Sequence, residues 1–147
     1  MAPMKDVTDV SFRALLAKHG APDVYWTEFV SADGLVSEQG GPKLLRELYY
    51  TEAERPIVAQ IWGRSPLKFE EAAKIVVDLG FDGIDINMGC PQDKEIRGGA
   101  CAALIREPKL AQEIIAATIE GARKYNLSPA LPSGGEGLPV AQSPIFW

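Results

Sequence analysis

Apolar residues along the chain follow two periods, and segments with one period alternate with segments of the other. Compact runs rich in β-branched and aromatic residues are typical of strands, and three of them lie at 24–30, 57–62 and 83–88. In the last run apolar and polar residues alternate one by one, which indicates a strand buried on one face. The short apolar start at 1–4 is interpreted as a further, first strand.

Segments with a helical period lie between and after these runs. Helices are predicted over 10–19, 42–50, 66–79 and from Pro108 to about residue 126. Thr8 or Asp9 can cap the first helix, and Gly20 and Gly80 end the first and the third. The apolar face of the third helix comprises Phe69, Ala72, Ala73, Val76 and Leu79. The apolar face of the fourth comprises Ala111, Ile115, Thr118, Ala122 and Tyr125.

Strand–helix alternation at this spacing predicts a parallel sheet with right-handed crossovers. Two architectures have this order, an open doubly wound sheet and a β/α barrel. No G-x-G-x-x-G motif follows the first clear strand, which disfavours the dinucleotide-binding sheet. A TIM (β/α)8 barrel needs eight units in about 250 residues. The expected α/β fold is therefore a partial TIM barrel of about four units over 1–126. Residues 127–147, with four prolines and three glycines, form an irregular tail.

The composition is that of an ordinary globular domain and excludes several classes of protein. Of the 147 residues, 46% are hydrophobic and 24% are charged, which argues against collagen and a wholly disordered chain. A net charge of −5 lacks the basic excess of a general nucleic-acid binder. Because no apolar run could cross a bilayer and no secretory leader pattern is present, we expect a cytoplasmic protein without membrane contact. Two cysteines and one histidine match no zinc spacing, so no metal site is expected.

Candidate reactive groups collect where the predicted strands end, which is where the active site of a β/α barrel lies. These residues are Pro3, Met4, Gln60, Asn87 and Cys90. The sharpest segment is N-M-G-C-P at 87–91, in which the glycine allows a tight turn and the proline stops the strand. A free cysteine by itself is more often a small buried hydrophobe. Its position at a strand end beside an amide favours a reactive thiol instead.

Five segments, in order, resemble the tRNA-dihydrouridine synthases, which are flavin enzymes built on a β/α barrel. The segments are APMKDVTDVSFR (2–13), TEFVSADGL (27–35), PIVAQIWG (56–63), GFDGIDINMGCPQDK (80–94) and GGACAALI (98–105). The likeness extends over roughly 2–125. The motifs APM-x-x-VTD-x-x-FR and D-I-N-x-G-C-P together are more specific than either alone, since other flavin barrels share short pieces of them.

The resemblance implies a role for each matching residue. The FMN contacts would be Pro3, Met4, the backbone of Lys5 and the Gln60 amide. Asn87 would bind the target uracil and Cys90 would donate the proton. Reduction of the C5=C6 bond of uridine in tRNA takes a hydride from reduced FMN at C6 and a proton at C5, and NADPH would reduce the flavin again. A thiol of ordinary pKa, about 8.5, is mostly protonated at neutral pH and can serve as this acid.

Other polar residues near the strand ends allow a bland explanation as well. The resemblance implies that Lys94 and Arg97 help to hold RNA phosphate, and their positive charge suits that contact. A solvated loop followed by a capped helix explains them equally well. Glu28 and Asp33 are interpreted as structural residues of their loop. Cys101 is interpreted as a small buried residue rather than a second catalytic thiol.

Family members continue with parts that are not recognisable in 127–147: a strand with a lysine that contacts FMN, phosphate-binding loops and a helical domain that holds tRNA. We therefore expect the chain alone to bind FMN weakly, and to be unstable or to self-associate through exposed sheet edges. Two alternatives stay open. One is an inactive truncated remnant or interaction fragment, and the other is a different FMN-dependent TIM-barrel oxidoreductase, such as a dihydroorotate dehydrogenase relative.

Overall fold

The computed structural model describes residues 1–126 and 145–146. The strands are β1 (Tyr25–Trp26), β2 (Val30–Ser31), β3 (Ile57–Trp62), β4 (Gly83–Ile86) and β5 (Ile145–Phe146). The α-helices are α1 (Val10–His19), α2 (Ala32–Leu35), α3 (Gly41–Glu47), α4 (Pro66–Asp78), α5 (Asp93–Arg97) and α6 (Pro108–Asn126). Two 3-10 helices cover Glu52–Glu54 and Cys101–Arg106. In this part of the chain no helix combines the length and the apolar character that a membrane span requires.

Every strand pairing among the described residues is parallel, which confirms the predicted α/β class. Both β1 and β2 pair with β3, β3 pairs with β4, and β4 pairs with β5. The register of β3 and β4 places Gln60 opposite Asp85. Of the tail that the sequence predicts to be irregular, residues 127–144 and 147 lie outside the described residues. The pair 145–146 forms β5.

The predicted first strand at 1–4 is wrong, because its backbone groups are used in a turn. Pro3 has no N–H to donate to a neighbouring strand. The N–H of Met4 donates to Thr8 Oγ1 at 3.0 Å, and the Met4 carbonyl accepts from the N–H of Thr8 at 3.0 Å. The segment still runs beside the sheet, since the Met1 ammonium donates to the Val24 carbonyl at 3.0 Å.

The strand predicted over 24–30 is interrupted in its middle and forms β1 and β2. Thr27 is fully buried, and its hydroxyl donates to the carbonyl of Glu28 at 2.9 Å while accepting from the N–H of Gln60 at 3.2 Å. The Thr27 N–H still donates to the Val58 carbonyl at 3.0 Å, and pairing with β3 resumes at Val30. After the break the Glu28 carboxylate reaches the N-terminal turn, where it accepts from the N–H of Asp6.

The apolar core lies between one face of the sheet and the helices α2, α4 and α6. Ala59 and Ile61 of β3 and Ile84 of β4 belong to it, with Phe69 and Val76 of α4. Successive side chains of a strand point to opposite faces. Gln60 and Asp85 therefore lie on the other face, away from these helices.

Helices α4 and α6 pack closely because α6 presents small residues to α4. A Cβ added at Gly121 would lie 2.3 Å from the Glu70 carbonyl oxygen, so glycine permits the close approach. Thr118 and Ala122 are fully buried as predicted, but the sequence-based assignment of Ile115 is wrong. Ile115 is 42% exposed, and Ile114 is fully buried in its place. The buried stripe of α6 thus keeps Thr118 and Ala122 and has Ile114 in place of Ile115.

The N-terminal helix of the predicted set is confirmed over its full length. Asp9 caps α1 by accepting from the N–H of Phe12 at 2.8 Å, and α1 ends at His19 before Gly20. The start of α4 at Pro66 is confirmed too. At the other end, Leu79 is 39% exposed rather than part of the apolar face, since it caps the helix instead of continuing it.

A buried ion pair links α1 to the segment before β3. The Arg13 guanidinium donates to Glu54 Oε2, and both side chains are fully buried. The same guanidinium donates to the carbonyl of Thr8 at 2.9 Å and of Tyr49 at 2.7 Å. The Glu54 carboxylate also accepts from the N–H of Thr51 at 2.8 Å. Arg13 is therefore fully paired, as a buried charge must be.

The variant Arg13→Leu should lower the free energy of unfolding by about 3–5 kcal/mol, because it leaves the Glu54 carboxylate buried without its partner. Urea denaturation followed by circular dichroism measures the loss. The matched control is Arg97→Leu, whose pair with Asp93 is 81% and 86% exposed and whose loss should change stability by less than about 0.5 kcal/mol. Equal losses of unfolding free energy in the two variants would contradict the conclusion that the Arg13–Glu54 pair is buried.

A second pair of variants tests the phase of α6. Ile114→Ala should cost about 2–5 kcal/mol of unfolding free energy, because it opens a cavity in the core. Ile115→Ala removes a side chain that is 42% exposed and should cost less than about 1 kcal/mol. The same denaturation measurement compares them. If Ile115→Ala cost more unfolding free energy than Ile114→Ala, Ile115 would belong to the buried stripe, as the sequence pattern predicts.

Candidate functional site

Three polar side chains meet where β3 and β4 end, on the face of the sheet away from the helices. Gln60 lies in the second half of β3, Asp85 is its register partner in β4, and Asn87 follows β4 directly. Gln60 is 8% exposed and Asn87 is 9% exposed. Amides this deeply buried need hydrogen-bond partners, and they find them in one another.

A chain of hydrogen bonds joins these three side chains. The Gln60 Nε2 donates to Asp85 Oδ2 at 2.6 Å, and the Asn87 Nδ2 donates to Gln60 Oε1 at 3.2 Å. The backbone N–H of Asn87 also donates to the Ile61 carbonyl at 2.9 Å, which extends the pairing with β3 past the end of β4. The two amides are thereby held at fixed positions relative to the sheet.

The same asparagine holds the loop that carries Cys90. Its Oδ1 accepts from the N–H of Gly89 at 3.2 Å and of Cys90 at 3.0 Å. The carbonyl of Cys90 accepts from the N–H of Ala102 at 3.3 Å. The thiol is half-buried, neither sealed in the core nor fully exposed. Asn87 thus joins the Gln60 amide and the Cys90 loop, which the sequence places 30 residues apart.

The N-terminal turn reaches the same edge of the sheet through Glu28. The Glu28 carboxylate accepts from the N–H of Asp6, whose φ of 59° is left-handed, a conformation that Asp tolerates better than most residues. Its neighbour Thr27 accepts from the N–H of Gln60. Met4, in the turn, is 47% exposed. The interpretation of Glu28 as a structural residue fits this contact.

Lys5 uses its side chain within the fold. Its ammonium donates to Glu47 Oε2 at 2.7 Å and lies 4.0 Å from Glu28 Oε1. Burial by itself would lower the pKa of Lys5, but the hydrogen bond and charge of Glu47, with the charges of Glu28 and Asp6, outweigh it and raise the pKa. The ammonium therefore stays charged at neutral pH, and only the backbone of Lys5 is left for the predicted ligand contact.

Cys101 is a buried neighbour of the Cys90 thiol, as the sequence suggests. It is fully buried and has a φ of 54°, which is unusual for a residue with a side chain. Burial, with the nearby Cys90 thiol and the Glu95 carboxylate, raises the pKa of Cys101 to about 12. Because the thiolate is the nucleophilic form, Cys101 is unsuited to nucleophilic chemistry near neutral pH, and its full burial separates it from a ligand at the surface.

The two basic residues predicted to contact RNA lie on α5 and face solvent. Lys94 is exposed, and the side chain of Arg97 is 81% exposed with Asp93 Oδ2 3.5 Å away. Neither belongs to the hydrogen-bonded group around Gln60. Their role as phosphate contacts stays a prediction.

A cavity in the described part of the chain lies away from the Gln60–Asn87 group. This cavity of about 380 Å³ is lined by Met1, Pro22, Asp23, Val24 and Trp26. It lies at the start of β1, whereas Gln60 and Asn87 lie toward strand ends. Among the residues whose side chains the structure describes, no group of three His, Cys, Asp or Glu residues is arranged to hold a metal ion.

Sequence reasoning placed Gln60, Asn87 and Cys90 at strand ends, and the structure joins them by hydrogen bonds. It missed Asp85 and Thr27 as members of the same group. The signal for Asp85 was the alternation in GIDIN, which puts it on the same strand face as Asn87. The contact of Thr27 had no such signal, because it depends on the break between β1 and β2.

Comparison with known proteins gives matches over the same part of the chain. The family model described as "Dihydrouridine synthase (Dus)" matches residues 1–124. The "Probable tRNA-dihydrouridine synthase 2" of Bacillus subtilis (strain 168) is 42% identical over 121 residues, which cover 82% of this chain and 37% of that protein. The "Probable tRNA-dihydrouridine synthase" of Staphylococcus aureus (strain COL) is 40% identical with the same coverage. The chain therefore spans little more than a third of the length of these curated relatives.

The difference between the two cysteines can be measured by alkylation. Iodoacetamide at pH 8.5 should label Cys90 at least about 100-fold faster than Cys101. The Cys101 thiol is buried and has a pKa of about 12, so almost none of it is thiolate at this pH. Mass spectrometry of tryptic peptides gives both rates. In 8 M urea the two rates should converge. Similar rates in the folded chain would contradict the burial of Cys101.

Proposed function

Because the chain belongs to the dihydrouridine synthase family, we propose that it supplies the proton donor and part of the flavin-contacting surface of an enzyme that reduces uridine in tRNA to dihydrouridine. One observation carries the proposal above the others. Asn87 bonds both to Gln60 and to the backbone of Cys90, so the predicted flavin, base and proton contacts form a single connected unit.

The residues at this edge of the sheet fit an isoalloxazine ring. Gln60 is an amide that can donate and accept at the polar edge of such a ring, and Met4, 47% exposed in the turn held by Glu28, has a thioether that could pack on it. Pro3 and the backbone of Lys5 belong to the same turn. FMN, when bound and reduced by NADPH, supplies the hydride that adds at C6 of the uracil ring.

Cys90 supplies the proton in this proposal. When the C5=C6 double bond takes a hydride at C6, the electron pair left at C5 takes the proton of the thiol, and water returns a proton to the sulfur afterwards. The half-buried position of Cys90 suits a group that must meet both substrate and solvent. Asn87 orients the base, because its amide is fixed to the sheet while its second N–H can reach a ring carbonyl.

The tRNA itself would meet the exposed basic residues Lys94 and Arg97. Both face solvent on α5, directly after the Cys90 loop. With a net charge of −5, the chain offers RNA only local positive patches, so contact at a few phosphates is the form of binding we propose.

The same proposal extends to the fold around the site. Residues 1–126 would form the N-terminal half of a TIM barrel, with the Gln60 face turned to its interior, in a cytoplasmic protein. The sheet edges at β1 and β5 would then be where a second copy or the rest of a barrel pairs. Size-exclusion chromatography reports whether the chain self-associates.

The variant Cys90→Ala should reduce dihydrouridine formation by a factor of about 100 or more, the usual contribution of a positioned general acid. The chain is incubated with FMN, NADPH and an unmodified tRNA transcript, and dihydrouridine is measured by mass spectrometry of the digested tRNA. Cys101→Ala is the matched control and should keep most of the activity, since the Cys101 thiol is fully buried and cannot reach the substrate.

Two results would contradict the proposal. If the unaltered chain forms no dihydrouridine even with a large excess of FMN, the alternative of an inactive fragment replaces it. If Cys90→Ala is as active as the unaltered chain, the proton comes from another donor.

A further inference from the structure

We propose that Asp85 is a positioning residue that sets the direction of the hydrogen bonds through Gln60 and Asn87 to the Cys90 loop. The positioning itself stands on the structure alone. Its consequence for substrate binding rests on the function proposed above.

The Asp85 carboxylate is restricted in the hydrogen bonds that it can make. An ionised carboxylate only accepts hydrogen bonds, whereas a side-chain amide donates from its nitrogen and accepts at its oxygen. Asp85 Oδ2 lies 2.6 Å from the Gln60 amide, so the nitrogen of that amide must face it. The Gln60 oxygen is then left to face Asn87, and it accepts from Asn87 Nδ2 at 3.2 Å.

The other end of the chain is fixed in the opposite sense. The backbone N–H groups of Gly89 and Cys90 can only donate, and both point to Asn87 Oδ1, at 3.2 and 3.0 Å. An acceptor at Asp85 and donors in the Cys90 loop therefore agree on one orientation of both amides. Turning either amide by 180° would oppose two donors or two acceptors inside a buried group.

The direction determines what the site offers a ligand. Among the hydrogen bonds of the described residues, the Gln60 and Asn87 amide nitrogens each donate once, so each keeps a second hydrogen. Spare donors favour ligand edges that carry carbonyl oxygens, as flavin and uracil rings do. They disfavour an amino group at the same place, as in cytosine. In this way a carboxylate that need not touch the ligand selects its chemistry.

The test is the variant Asp85→Asn, which keeps the shape of the side chain but lets it donate as well as accept. Hydrogen exchange of the Gly89 and Cys90 backbone amides, measured by NMR on the unliganded chain, should become about tenfold faster. With an amide at position 85 both orientations of Gln60 are satisfied, so Asn87 is free to turn and its bonds to these two amides are broken part of the time. The Gln60 and Asn87 side-chain amide resonances should shift. Amides within α4 should keep their exchange rates, which a general loss of stability would not allow.

The matched control is Asp82→Asn, the same substitution three residues earlier. Asp82 accepts from the N–H of Ile57 at 2.8 Å and from Arg55 at 2.9 Å, so it holds the start of β4 rather than its end. This variant should leave the Gly89 and Cys90 exchange rates and the two side-chain amide resonances unchanged.

A second variant serves if Asp85→Asn does not fold. Gln60→Met removes the middle link while keeping the length of the side chain, and it should accelerate exchange at Gly89 and Cys90 by a similar factor. The proposal is overturned if the folded Asp85→Asn chain, or Gln60→Met in its place, exchanges these two amides at the unaltered rate. Because no flavin or tRNA is present, this result does not depend on whether the chain reduces uridine.

Discussion

The Arg13 guanidinium, sealed from water against Glu54, is the constraint on which the position of the N-terminal turn depends. A buried charge must satisfy all its donors, so Arg13 also takes the carbonyl of Thr8. The Thr8 hydroxyl in turn accepts from the N–H of Met4 and donates to the Met4 carbonyl. A residue in α1 thereby fixes a turn that carries no regular structure of its own. Three residues of the motif APM-x-x-VTD-x-x-FR, namely Met4, Thr8 and Arg13, are joined in this network.

The two faces of the sheet carry different kinds of side chain. On one face Ala59, Ile61 and Ile84 pack against helices and contribute the apolar stabilisation. On the other face Gln60 and Asp85 come from the same two strands, one residue out of phase. A strand of six residues can therefore hold a core and position a site at once. The rigidity of the helix-facing layer is what keeps the polar group in place.

Much of the fold follows from local pattern, and the failures have physical causes. The bounds 10–19 and 57–62 are correct because a cap or a proline marks them, and the resemblance to the tRNA-dihydrouridine synthases is confirmed as a family relation. The strand at 1–4 failed because a turn bonded by Thr8 looks apolar in sequence. Ile115 failed because an adjacent pair of isoleucines leaves the helical phase ambiguous. At the site, the strand ends were foreseeable, but the bonds between distant residues were not.

The register of β3 against β4 has a consequence for misfolding. A slip of β4 by one residue along β3 would move Asp85 to the helix side and send Ile84 to the open side. An aspartate carboxylate would then be driven into an apolar layer, at a cost that no local rearrangement could recover. Asp85, which we propose positions the Gln60 amide, thus also discriminates against wrongly paired strands.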